Sequence, residues 1–109
     1  MRATDPVFIA VETLQWHKAD GTEHTLTARI GMPYLADDGA YRCPAELLGL
    51  DGRYPDIPGG SSMQAICLAT RLLATRLSHL LERGERLSYA DDPDKSGLDA
   101  ATLDAVFGR

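Results

Sequence analysis

His17 and His24 flank the dipeptide Asp20-Gly21, and a two-residue hairpin turn there sets the two imidazoles opposite one another. A facing pair of imidazoles can hold a transition metal, but structural zinc takes four ligands and catalytic zinc three. Glu23 is the only carboxylate beside them and no local cysteine completes the set, so they read as solvent-exposed side chains and no metal is expected. Cys43 becomes a nucleophile only with a base such as His79 and a third group to orient it, and nothing in the spacing unites them. Cys67 flanks an apolar helical stripe and behaves as a small hydrophobe. Asp91, Asp92, Asp94 and Asp99 suggest a calcium loop. Counted from Asp92, however, the position that needs glutamate holds Leu103, so the segment reads as a solvated acidic loop. No catalytic residue and no cofactor-binding residue is assigned, and no cofactor is expected.

The run Gly59-Gly60-Ser61-Ser62-Met63-Gln64 is the most specific local pattern. Two glycines ahead of free helix N–H groups can cradle an anion. The phosphate-binding G-x-x-x-x-G-K-[ST] pattern is absent, and no cation lies within the run. The same residues form an S-x-x-Q capping box, with Ser61 as N-cap and Gln64 at the third helical position. They read first as a tight entry turn into a helix.

These residues must be positioned by a small set of elements. Residues 7–17 and 24–34 alternate as two strands. A type I′ turn at Asp20-Gly21 pairs His17 with His24, Trp16 with Thr25 and Val11 with Ile30. That register puts Val7, Ile9 and Val11 on one apolar face with Leu26, Ala28, Ile30, Met32 and Tyr34. Phe8, Ala10, Leu14 and Trp16 then lie opposite, and a bulge near Gln15 would shift the part farther from the turn by one residue. Residues 40–48 read as a third strand that Pro44 makes an edge or bulged one, and Pro33 limits the second strand in the same way. The 49–60 stretch is loop with a short fourth strand over 53–57. Residues 61–83 form one long helix with Ile66, Ala69, Leu73, Leu77 and Leu80 on its buried stripe, ended by Gly84. A short strand follows over 85–90. A polar loop over 91–97 then leads into a short C-terminal helical segment over 98–107, in which Leu103 and Phe107 are paired at i, i+4. The expected fold is α+β, with a small antiparallel sheet of three to five strands packed against one long helix. A parallel βαβ core is disfavoured, because only one long helix exists to cover it.

The 109 residues fit a single domain, and 44% hydrophobic content suffices for one core. The net charge is −5, and no Lys/Arg cluster could track a phosphate backbone, so nucleic acid is not an expected partner. Apolar runs are too short to span a bilayer, and no basic segment precedes one at the N-terminus, so neither membrane nor export is expected. Two cysteines make no disulfide framework, which leaves a cytoplasmic location as the expectation.

Phe8, Leu14 and Trp16 share the strand face that the helix need not cover, while Leu68 and Leu72 fall outside the helical stripe. Tryptophan is enriched at interface hot spots. These five residues are the candidate interface, with either a second copy or another protein as partner. Covering of Trp16 by Leu98 to Phe107 is the alternative. Pro33 and Pro44 argue for contact through side chains rather than sheet extension.

Trp16, Asp20-Gly21, Ile30-Gly31-Met32-Pro33, Tyr41-Arg42-Cys43, Gly59 to Ala65 and Leu87-Ser88-Tyr89 together resemble a family of small bacterial proteins classed only as a domain of unknown function. The resemblance covers about residues 8–90. It implies a hairpin-rich sheet with one long helix and carries over no catalytic residue. The function expected is a non-enzymatic protein-binding or accessory domain. The alternative is a small ligand-binding protein or hydrolase using a cleft near Gly59 to Gln64.

Overall fold

A computed structural model describes residues 5–109. The chain runs β1 (Phe8–His17), β2 (Glu23–Gly31), β3 (Tyr34–Leu35), β4 (Tyr41–Cys43), β5 (Ala45–Leu48), β6 (Gly52–Arg53), β7 (Ile57–Gly59), α1 (Ser62–Glu82), β8 (Arg86–Tyr89) and α2 (Ala100–Val106). One sheet has the order β6-β5-β2-β1-β8 and the other β3-β4-β7, and every pairing is antiparallel. The fold is α+β, with α1 laid against both sheets.

The β1–β2 hairpin forms, but its register differs by one residue from the expected pairing. Lys18 and Thr22 close the loop, the Lys18 N–H donating to the Thr22 carbonyl at 2.9 Å. The Gly21 N–H donates to the Lys18 carbonyl at 3.0 Å, and Gly21 has φ +88°. Asp20 keeps a negative φ, so a type I′ turn, which needs two positive values, is excluded. The loop is the three-residue kind, a type I turn followed by one left-handed glycine. Its Asp20 carboxylate accepts from the Thr22 N–H at 2.9 Å and from the Thr22 hydroxyl at 2.6 Å.

One extra loop residue exchanges the two faces of the strand. Trp16 now pairs with His24, His17 with Glu23 and Leu14 with Leu26. Leu14 and Trp16, 1% and 7% exposed, join Leu26, Ala28 and Ile30 in the core. Val7, Ile9 and Val11, expected on the buried face, are instead exposed at 62%, 48% and 60%. The bulge in β1 lies between Phe8 and Ala10 rather than near Gln15.

The expected third strand, 40–48, divides at Pro44. β4 joins the small sheet and β5 joins the large one, so the imino acid marks a corner between them. The corner is tight: the Gly31 N–H donates to the Pro44 carbonyl at 2.8 Å, and a Cβ on Gly31 would meet Pro44 Cβ at 2.8 Å. The short strand expected over 53–57 is likewise two fragments, β6 and β7, one in each sheet.

Ser61 caps α1, its Oγ accepting from the Gln64 N–H at 3.1 Å, and the Gln64 side chain accepts in turn from the Gly60 N–H. Gly84 ends it in a Schellman motif, with the Gly84 and Glu85 N–H groups reaching back to Leu81 and Leu80. The buried stripe is Ala65, Ala69, Leu73, Leu77 and Leu80 with Ala74, while Ile66 is only half-buried. Ala65 displaces Ile66 because β7 approaches α1 closely there: a Cβ on Gly59 would meet the Ala65 nitrogen at 2.5 Å. Asp99 caps α2 through the Thr102 N–H at 2.7 Å, and Leu103 and Phe107 complete the core. No helix of the described residues is long and apolar enough to cross a membrane.

Candidate functional site

The residue types singled out for chemistry are mostly consumed by the fold. His17 and His24 are not opposite each other, and among the described residues no three of His, Cys, Asp and Glu gather as metal ligands. Cys43 is buried, with its thiol directed at the backbone carbonyls of Gly31 and Pro44, and desolvation aided by the negative charge of Asp56 pushes it up to about 11. His79 instead lies 2.8 Å from an Arg76 guanidinium nitrogen. At Gly59-Gly60 there is no cradle: the Gly60 and Gln64 N–H groups are taken by capping side chains, and Gly59 lies against the helix backbone.

Ser88, His17 and Glu23 do come together in the order of a hydrolase triad. Ser88 Oγ lies 2.8 Å from His17 Nε2, and His17 Nδ1 lies 3.2 Å from Glu23 Oε1. No local pattern signals this trio, because it depends on the one-residue register shift and on β8 lying beside β1. Ser88 has no exposed surface, however, so an acyl donor does not reach its hydroxyl. Above it the 91–98 strap is tied down by Lys95 Nζ on Glu23 at 3.0 Å, by the Arg86 guanidinium on the Lys95 carbonyl and by the Leu98 N–H on the Leu87 carbonyl. That contact with Lys95 is the main reason Glu23 is held below the ordinary carboxylate range. The trio satisfies a buried hydroxyl and fastens the strap to the hairpin.

Two further polar groups are also structural. Tyr34 donates to Asp56 at 2.6 Å, and burial together with that bond pushes the phenol up to about 12. The Arg76 guanidinium forks onto Asp51 at 2.6 and 3.0 Å and so fixes the β5–β6 turn to α1.

The five candidate interface residues do not form one surface. Leu14 and Trp16 are core, and the Trp16 indole donates to Glu85 Oε1 at 3.3 Å, so the α1–β8 connection rather than the C-terminal segment supplies its polar partner. Phe8 is half-buried beneath the Arg29 guanidinium, 3.8 Å from the ring centre, and Arg29 is held in turn by Glu46 at 2.7 Å. Leu68 and Leu72 are half-buried on α1.

Exposed apolar side chains include Leu35 and Met63, and several gather along the first half of β1. β8 pairs with β1 only over Leu14–His17, and its last bond runs from the Ala90 N–H to the Thr13 carbonyl at 3.2 Å. By strand alternation the N–H and C=O of Val11 face that same side, where no described strand pairs with them. Pro33 and Pro44 lie elsewhere and do not protect this edge. Val7, Ile9, Val11 and Met32 crowd beside it, all close to half exposed or more. Beneath it opens a groove of about 170 Å³, lined mainly by Ala10, Ile30, Leu73, Val106 and Phe107, with Arg29 and Thr70 also on its wall. Glu12 stands at its rim, and Asp91 and Ala90 border a second notch where β8 leaves β1.

Comparison with protein-family models, curated proteins and solved structures found no match to this chain.

Proposed function

We propose that this chain is a non-enzymatic protein-binding domain and that its docking surface is the open half of β1. The observation that carries this reading is an uncharged segment, Val7 to Val11, that is paired with β2 on one side, has no partner among the described residues on the other, carries exposed aliphatic side chains and is underlain by a largely apolar groove. Unprotected edges of this kind template the addition of another strand, with backbone bonds giving affinity and side-chain pockets giving selectivity. A clustered apolar surface on a chain of net charge −5 is also a feature that soluble proteins reserve for contacts. The two unpaired cysteines fit work in a reducing compartment such as a cytoplasm.

Panning random peptides on the immobilised protein tests the reading, with Val11→Asp as the counter-selection. Val11 is exposed, so the variant keeps its fold, which circular dichroism verifies. Enriched peptides that bind the wild type and lose the variant are expected. Enrichment indifferent to Val11→Asp, or none at all, would sink the idea.

A further inference from the structure

The proposed docking surface carries more than an apolar groove. Glu12 and Asp91 stand on either side of the point where β8 leaves β1, and both border the same notch with Val11 and Thr13. Neither carboxylate makes a hydrogen bond or an ion pair among the described residues. Most of the other acidic side chains are engaged: Glu23 by Lys95, Glu46 by Arg29, Asp51 by Arg76 and Glu85 by Arg83. The Arg29 guanidinium, which shares the groove with Glu12, is occupied by Glu46 and by the face of Phe8. Among the described residues the edge therefore presents unmatched negative charge beside a backbone edge without a partner and a largely apolar groove.

We infer, resting on the reading above, that the occupant is an extended segment of another protein that carries Lys or Arg on both sides of one large apolar side chain. The apolar side chain enters the groove between β1, α1 and α2. A volume of about 170 Å³ suits a ring-sized group, since an apolar cavity of roughly 150 Å³ admits benzene. The segment's backbone pairs with Val11, and its flanking cations reach Glu12 and Asp91. A second copy of this chain fits less well, because its own segment from Val7 to Val11 offers no cation and each copy brings a net charge of −5.

Three synthetic peptides test the pairing: an extended Lys-Val-Phe-Val-Lys segment, its Glu-Val-Phe-Val-Glu twin and a Ser-Val-Phe-Val-Ser reference. Affinity is read by fluorescence anisotropy, and the site by the amide shifts of Val11 and Asp91. Exposed ion pairs are weak, so two of them should tighten the lysine peptide over the serine peptide by roughly two- to thirty-fold. That advantage should fade as salt shortens the screening length from about 10 Å to about 3 Å. Glu12→Lys with Asp91→Lys should reverse the preference toward the glutamate peptide. If all three peptides bind equally and without salt dependence, the charge assignment is overturned while the docking surface stands. If none binds, the assignment is overturned and the panning result alone decides the docking surface. A dimer in sedimentation that Val11→Asp dissolves overturns the assignment in favour of a second copy.

Discussion

Replacing Gly59 by alanine should destabilise the protein, whereas the same change at Gly60 should not. A Cβ on Gly59 would lie 2.5 Å from the Ala65 nitrogen, 2.9 Å from Ala65 Cα and 3.0 Å from the Gln64 carbonyl carbon. All three are backbone atoms of the first turn of α1, which the Ser61–Gln64 capping pair pins in place. Relief requires β7 and α1 to separate, and overpacking of this kind costs about 1–3 kcal/mol. In a domain of this size that lowers the thermal midpoint by roughly 5–15 °C. At Gly60 the nearest atom is Gln64 Oε1 at 3.1 Å, the end of a flexible side chain. Neither glycine has a positive φ, so alanine meets no backbone strain at either position. At Gly60 the loss of unfolded-state freedom offsets the contact, and the net change stays within about 0.5 kcal/mol. Urea titrations of both variants provide the assay, with unchanged slopes showing that the midpoint shift is a change in stability. A Gly59→Ala protein as stable as wild type would refute the close β7–α1 approach. Equal damage from both substitutions would refute the distinction between them.

Under native conditions one thiol per chain, exposed Cys67, should react rapidly with a disulfide reagent, and buried Cys43, pushed up to about 11, should wait for unfolding; fast labelling in Cys67→Ser would contradict this. The Arg76 hydrogen bonds hold the Asp51 carboxyl below its ordinary value, so its contribution to stability is full at neutral pH and is lost as pH falls below about 4. Asp51→Asn should accordingly cost about 0.5–1 kcal/mol at pH ~7, with the gap to wild type closing in acid; a gap that widens in acid would reverse the sign. Leu103→Ala should cost about 2–5 kcal/mol in chemical denaturation, because Leu103 is fully buried where α2 closes the core; a loss under about 1 kcal/mol would mean that α2 packs loosely.

Features set by local chemistry were legible in the sequence, and features set by a choice between near-equal local solutions were not. The capping box, the Gly84 stop and the Leu103–Phe107 pair each fix their own neighbourhood, and the structure has α1, its end and α2 where those signals put them. Asp20-Gly21 is different, because the same dipeptide serves a two-residue turn with two positive φ values or a three-residue turn with one. The sequence held one clue: Thr22 follows, and its N–H and hydroxyl both bind the Asp20 carboxylate, which holds Asp20 in the second arrangement. Burial held another. Leu14 and Trp16 are larger and closer to the turn than Val7 and Ile9, and only the longer loop turns them toward Leu26 and Ala28.

The candidate surface follows from that same shift combined with the early end of β8. β1 has ten residues and β8 four, so among the described residues an edge is left open where β8 stops. β8 stops because Asp92 takes the N–H groups of Asp94 and Ser96, both at 3.0 Å, and Pro93 has no N–H to continue a ladder. The chain is thereby turned back as a strap over Ser88 instead of running on beside Val11. With the expected register Val7, Ile9 and Val11 would have been core, and the open edge would have exposed Phe8, Ala10 and Glu12 instead. With the observed register the same edge carries aliphatic side chains, and only the bulge near Ile9 bends it away from a flat template. A chain that needed merely to stay soluble would place a lysine or a proline in that segment. Its absence, beside the Glu12 and Asp91 carboxylates and a largely apolar groove, is the observation on which the proposed docking surface rests.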